Sequence, residues 1–266
     1  MNTPDPFWLG PIGIDVSYYQ EKVNWTAVKN AGYDFAFIKC SEGVGYRDPE
    51  FIKNWTAARE AGLLVGAYHF ARVSKKTTIE ADAKEEAQWF ASQILAQPHD
   101  VMLPPVLDIE WDKKADKIIK GAEVVQWCQI FCKHVREIVG RTPAIYTGSN
   151  FWRYRLLKTQ SLATYPLWQV HYTPKTAPKA IPYWKWTFWQ WSYPQPLPGS
   201  GKTKVDANRF NGSWDDLKAL AHGNAEPSHP ETLPAIVEPD VPWWERLAET
   251  MEIVNRAIFE NSRRGG

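Results

Sequence analysis

Eight short apolar runs, in place of a few long ones, set the tightest limit on what this chain can fold into. They are GIDVS (13–17), FAFIKC (35–40), LLVGAYHF (63–70), PPVLDIE (104–110), PAIYTG (143–148), PLWQVHY (166–172), WTFWQW (186–191) and TKVDANRF (203–210). Their length, their β-branched and aromatic content and their Gly and Pro flanks read as strands. Segments of helical period separate the early runs. PEFIKNWTAAREAG puts Phe51, Trp55 and Ala58 on one face, with Pro49 at its start and Gly62 at its stop. The stretches 77–97 and 123–140 are longer and amphipathic. Strand-then-helix alternation predicts a parallel sheet covered by helices. The connections 173–185 and 192–202 depart from it. They carry Pro174, Pro178, Pro182, Pro194, Pro196 and Pro198, so neither can be a covering helix. The expected fold class is α/β: a TIM-like eight-stranded barrel with helices around the first five strands and mostly loops around the last three.

The barrel is expected over residues 1–223, closed by a helix in SWDDLKALAHG (213–223) with Ser213 as its N-cap. Residues 224–242 contain five prolines and read as a semi-rigid linker. Residues 243–266 read as an amphipathic helix and tail, with Trp244, Leu247, Ala248, Met251, Val254 and Ile258 on one stripe. Its near-balanced charge predicts packing on the barrel or self-association, not a cationic membrane-seeking helix.

Composition removes several function classes. With 31 Lys+Arg against 30 Asp+Glu, no basic face is available to neutralise phosphates, so no nucleic-acid partner is expected. No run reaches the roughly 18 apolar residues of a membrane span, and MNTPDPFWLG lacks the regions of a signal peptide. No membrane insertion and no signal peptide are therefore expected. The three cysteines cannot pair completely, and Cys128 and Cys132 share a helix face. The six histidines form no H-E-x-x-H pattern, so neither a metal nor another cofactor is expected. The 15 Trp, 11 Tyr and 11 Phe mean either an aromatic core or a surface that stacks on flat rings such as sugars.

The acids decide where chemistry would sit. In a barrel it lies at the carboxyl ends of the strands. Asp15, Asp108, Glu110 and Asp206 all fall on candidate strands among apolar neighbours, where an unpaired carboxylate is costly. Barrel closure makes the first and last strands neighbours and brings Asp15 beside Asp206. Asp108 and Glu110 are two apart, on one face, with backbone positions roughly 6.6 Å apart at ~3.3 Å per residue. Four acids in one cavity repel, so one is kept protonated near neutral pH, as a general acid requires. Glu110, furthest along the strand and next to Trp111, is expected to hold that proton, with Asp108 ionised behind it. The competing reading leaves Asp15 and Asp206 as mere hydrogen-bond acceptors at the barrel end. Phe70, Tyr146, Trp168, Trp189 and Gln190 lie near strand ends and would form a saccharide groove or pack as core. Lys39 could touch substrate or pair with one of the acids.

With these residues assembled, the chain resembles the glycoside hydrolase family 25 muramidases, the Chalaropsis-type lysozymes common among phage endolysins. The resemblance runs over about residues 12–220 through GIDVSYYQEKVNW, FAFIKCSEGVGYRDPEF, AGLLVGAYHF, LPPVLDIEW, PAIYTGSNFW, PLWQVHY, FWQWS and KVDANRFNGS, in family order. It implies hydrolysis of the β-1,4 bond between N-acetylmuramic acid and N-acetylglucosamine, with bacterial peptidoglycan as partner. It carries the proton-donor role to Glu110, its neighbour's role to Asp108, and membership of the site to Asp15 and Asp206. Phe70, Tyr146 and Trp168 match groove positions, and Lys39 and Gln190 match more loosely. It implies an enzyme made in a host cytoplasm and acting on the bacterial wall, as a phage endolysin or a virion-borne lysin. Two mechanisms remain open: retention assisted by the substrate's acetamido group, or inversion with Asp206 or Asp15 activating water. A non-catalytic glycan-binding barrel is the rival reading.

Overall fold

The eight expected strands all form, and they close. In the computed structural model, which describes residues 10–112, 117–172, 178, 180–191, 195–199 and 203–223, they are β1 (Ile12–Val16), β2 (Phe35–Glu42), β4 (Leu64–Phe70), β5 (Val106–Asp108), β6 (Ala144–Gly148), β7 (Leu167–Val170), β8 (Trp186–Gln190) and β10 (Lys204–Phe210). Two short strands accompany them. β3 (Tyr46–Arg47) folds back on the end of β2, and β9 (Gln195–Pro196) pairs with the start of β10. The chain divides into two compact units, Met1–His229 and Pro230–Gly266. The linker and amphipathic helix expected over 224–266 lie outside the described residues.

Seven strands run parallel in the order β1-β2-β4-β5-β6-β7-β8, and β10 closes the ring. It runs antiparallel to both β1 and β8, so the barrel is mixed where strand-helix alternation suggested a parallel one. Hairpin returns give antiparallel pairs and longer crossovers give parallel ones: β10 meets β8 in the first sense, whereas β7 and β8 pair in the second with no helix assigned between them. The start of β10 thus lies at the end of the barrel where the other strands finish.

Helices α1 (Trp25–Asn30), α2 (Phe51–Glu60), α3 (Ile79–Leu95), α4 (Gly121–Val139) and α5 (Ser149–Tyr154) follow the first five barrel strands, and α6 (Trp214–Ala221) ends the unit. Ser213 caps α6 by accepting from the Asp216 amide, as expected. Gly62 and Gly140, at φ +83° and +73°, terminate α2 and α4 in the left-handed conformation that a Cβ disfavours. Among the described residues, no helix is long and apolar enough to cross a membrane.

Strand periodicity sorts the side chains into two cores. Ile14, Ala36, Ile38, Val65, Ala67, Leu107, Ile145 and Val205 face outward into the layer under the helices. Phe35, Phe37, Val106, Ala144, Tyr146, Trp168, Phe188 and Phe210 face inward and fill the barrel. The Phe37 ring stacks on Trp168 at 4.4 Å and meets Phe188 edge-on at 4.9 Å. Such rings need room: a Cβ at Gly13 would collide with Phe35, and one at Gly66 with Phe37. The inward rows end, at the open end of the barrel, in polar residues.

Candidate active site

The alternation that buries Ile14 and Val16 outward leaves Asp15 facing in. On β10 the outward Val205 leaves Asp206 and Asn208 facing in. Asp15 and Asp206 are direct cross-strand partners, and Asn208 pairs with Gln190. Across the barrel, Phe70, Asp108, Tyr146 and Trp168 form one continuous register row over β4, β5, β6 and β7. Ile109 is buried under the helices, so Glu110 projects on the same side as Asp108, one step nearer solvent. The four acids therefore gather at one end, as the sequence predicts.

Their environments differ. Asp108 is 8% exposed, and its Oδ1 is buried without a hydrogen-bond partner; Glu110 is exposed. Burial pushes Asp108 well above the usual carboxylate range, with the Glu110 charge adding to it and Lys39 opposing. Burial also raises Glu110, against the pull of Arg72 and Lys39. Burial thus raises both carboxyls of the pair, and Asp108 is the deeper of the two. Trp111 does not supply the expected apolar cover, being 51% exposed and packed edge-on against Phe151.

On the other side, Asp15 rises from 3.8 to about 7, chiefly through burial and then through Asp206. Its Oδ2 accepts from Gln190 Nε2 at 2.9 Å and Asn208 Nδ2 at 2.8 Å, which restrain the rise. Gln190 Oε1 in turn accepts from the hydroxyls of Tyr146 (2.8 Å) and Tyr172 (3.1 Å). Asn208 Oδ1 accepts from Trp168 Nε1 at 2.8 Å. Burial raises Asp206 as well, and its Oδ1 has no hydrogen-bond partner.

Three substrate-contact expectations change on this geometry. Trp168 is 2% exposed, with its ring committed to Phe37, so it offers no free face to a sugar. Gln190 is 4% exposed and turned onto Asp15. Trp189, on the outward side of β8, donates to the His171 carbonyl. Lys39 pairs with none of the four acids; its Nζ meets Glu42 at 2.5 Å. Glu42 also binds Arg72, which reaches on to Asp112. Burial would raise Glu42, but Lys39 and Arg72 hold it below the usual range. Lys39 and Arg72 lie over the half-buried Phe70 ring at 5.2 and 4.5 Å. Asn208, Tyr172, Glu42 and Arg72 were not foreseen. Asn208, two residues past Asp206 on the same strand face, was the one with a readable signal.

Among the described residues, no three His, Cys, Asp or Glu side chains are arranged to hold a metal ion. All three cysteines are free and buried. What the site can do is move protons: two pairs of carboxyls, both raised, gather at one end of the barrel, where Glu110 is exposed.

A barrel that gathers paired carboxyls beside aromatic rings has the equipment of an enzyme that cleaves glycosidic bonds by acid–base chemistry. The family model for Glycosyl hydrolases family 25 matches residues 14–200, and the chain belongs to that family. Lysozyme M1 of Streptomyces globisporus is 36% identical over 235 residues, covering 84% of this chain and 77% of that protein. The N,O-diacetylmuramidase of Chalaropsis sp is 30% identical over 221 residues, covering 79% of this chain and 99% of that protein. The bacterial lysozyme structure from Streptomyces coelicolor superposes with a TM-score of 0.70 at 34% identity, over 81% of this chain and 99% of that one.

Proposed function

We propose that this glycoside hydrolase is a lysozyme, an N-acetylmuramidase that cuts the β-1,4 bond between N-acetylmuramic acid and N-acetylglucosamine in bacterial peptidoglycan. The observation that carries the mechanism is the Asp108–Glu110 pair, one carboxyl buried with an unpartnered oxygen and the other exposed above it. A substrate acetamido N–H donating to Asp108 Oδ1 favours the ionised form of Asp108. That shifts the proton to Glu110, the group in reach of the leaving oxygen. Substrate binding thereby sorts a proton that the free site leaves divided. Glu110 then protonates the glycosidic oxygen, the acetamido carbonyl closes on the anomeric carbon, and Glu110 as base admits water, with net retention. Asp15 and Asp206 supply negative charge facing the developing cation. Phe70, Tyr146 and Lys39 are the side chains of this end proposed to meet the sugars.

Digestion of purified walls, with the new reducing end identified by mass spectrometry, tests the substrate. N-acetylmuramic acid at that end is the expected result; N-acetylglucosamine there, or no reducing end at all, overturns it. Proton NMR of the first-formed anomer tests the route: initial α product would replace retention by inversion, with Asp206 or Asp15 activating water. Work on the wall as a phage endolysin or virion-borne enzyme is the finer part of the proposal. It is supported by the resemblance to endolysins and by no feature of the barrel.

A further inference from the structure

We propose that Asn208 is a positioning residue for the hydrolysis, locked by Trp168 and acting with Gln190 to commit one oxygen of Asp15 to amide donors so that the other serves the reaction. This inference rests on the reading above that places Asp15 in the working site.

The two amides cannot serve equally well the other way round. Indole Nε1 only donates, so the 2.8 Å contact from Trp168 fixes the Asn208 oxygen on its side and turns Nδ2 to Asp15. Gln190 is oriented likewise, its oxygen accepting from Tyr146 and Tyr172. Burial pushes both phenols well above their usual range, so they remain hydroxyl donors at any working pH. Asn208, Gln190 and Trp168 are 0%, 4% and 2% exposed, too deep to bind sugar themselves. A buried amide with no ligand of its own, oriented by a buried indole and aimed at an acid, is a support for that acid.

The consequence for Asp15 is chemical. With two donors on Oδ2, a proton on this carboxyl resides on Oδ1, and the ionised form is favoured by both bonds. The groups facing Asp15 are Asp206 on β10, Asp108 and Glu110 at the end of β5, Tyr68 on β4, Tyr146 on β6 and Tyr172 after β7. These are all acids or phenols; Lys39, inward on the neighbouring β2, acts on Asp108 and Glu110. The two amides are what oppose burial and this neighbourhood, and they hold Asp15 near 7 where it would otherwise go higher.

The test is Asn208→Leu, read by the pH profile of kcat/KM on walls and by carboxyl carbon NMR titration of the unliganded protein. Losing one charge-assisted donor moves the Asp15 titration, and the acidic limb with it, upward by about one pH unit or more. KM is expected to stay and kcat to fall. Trp168→Phe keeps the ring stack and removes the N–H that locks Asn208, so it shifts both readouts in the same direction by less. If Asn208→Leu does not fold, Trp168→Phe decides alone. A lowered Tm with unmoved titration and limb shows a merely structural amide and overturns the inference. Asp15→Asn separates this from the broader reading. An active Asp15→Asn removes Asp15 from the working site; an inactive one, with unmoved profiles in the other variants, refutes only the positioning role.

Discussion

Two clusters of chemistry-bearing side chains lie on opposite faces of the barrel wall: the inner acids rise to the exposed Glu110, and the outer cluster of Ser41, His69 and Glu86 is sealed. Ser41 Oγ lies 2.9 Å from His69 Nδ1, and His69 Nε2 lies 2.8 Å from Glu86 Oε2, the spacing of a hydrolytic triad. Yet Ser41, His69 and Glu86 are 0%, 0% and 2% exposed, and the His69 ring stacks on Phe131 and packs tilted against Phe90, on helices α4 and α3. His69 faces outward on β4, while its neighbours Tyr68 and Phe70 face in. Ser41 reaches it because the register slips between Lys39 and Ser41, turning Ser41 to the outer side. Chemistry in this fold is decided by strand parity as much as by residue type. The outward cluster ties α3 to the barrel, and Glu86 also accepts the Arg72 amide.

The sharpest way to break this comparison is to disable one member of each cluster. Glu110→Gln is expected to lower kcat by about 10²–10⁴-fold, the usual reach of general acid–base catalysis, while the Tm holds. Substantial remaining lysis would take Glu110 out of the acid role. His69→Leu is expected to do the reverse. It strands Glu86 without its ring partner and costs about 3 kcal/mol in urea unfolding, while the folded fraction keeps its kcat. A His69 variant that folds normally and cannot cleave would return the outer cluster to the chemistry.

Parity also explains how much the sequence disclosed. The strands, the helices 51–60, 79–95 and 121–139, the Ser213 cap and the gathering of Asp15, Asp108, Glu110 and Asp206 follow from period-two and period-3.6 patterning with the neighbour rule of a closed barrel. The six-residue helices α1 and α5 were too short to show a period. The reversed β10 depends on where a loop returns, which its prolines do not encode. The burial of Trp168 and the inward turn of Gln190 depend on which rings fill the barrel, a property of Phe37 and Phe188 on other strands. Arg72 and Glu42 meet across two strands, so neither segment alone announces the pair.

Within the acid cluster, pH sharpens the comparison further. A carboxyl whose folded value lies above its unfolded one binds more protons in the native state. For Asp15 that stabilisation is fully present below about 3.8 and is lost as pH rises to about 7. Unfolding free energy is therefore expected to fall between pH 4 and pH 7, and Asp15→Asn should flatten that slope while gaining a few kcal/mol at pH 8. Urea titrations of the parent and of Asp15→Asn across this range check it, and an unchanged slope would mean the acids are not held in competition for protons.

The smallest expected effect is also the most direct test of parity. Trp168 and Trp189 are both buried indoles on adjacent strands, each with its N–H satisfied. The first faces the acids through Asn208; the second faces away, with the Arg209 guanidinium 4.9 Å from its ring. Trp189→Phe removes the bond to the His171 carbonyl and should cost about 1 kcal/mol of stability, with kcat, KM and the pH profile where they were. If Trp189→Phe moves the profile as Trp168→Phe is expected to, inward and outward are not separate compartments. The acid cluster would then be coupled to the whole wall of the barrel, and no longer to its inner face alone.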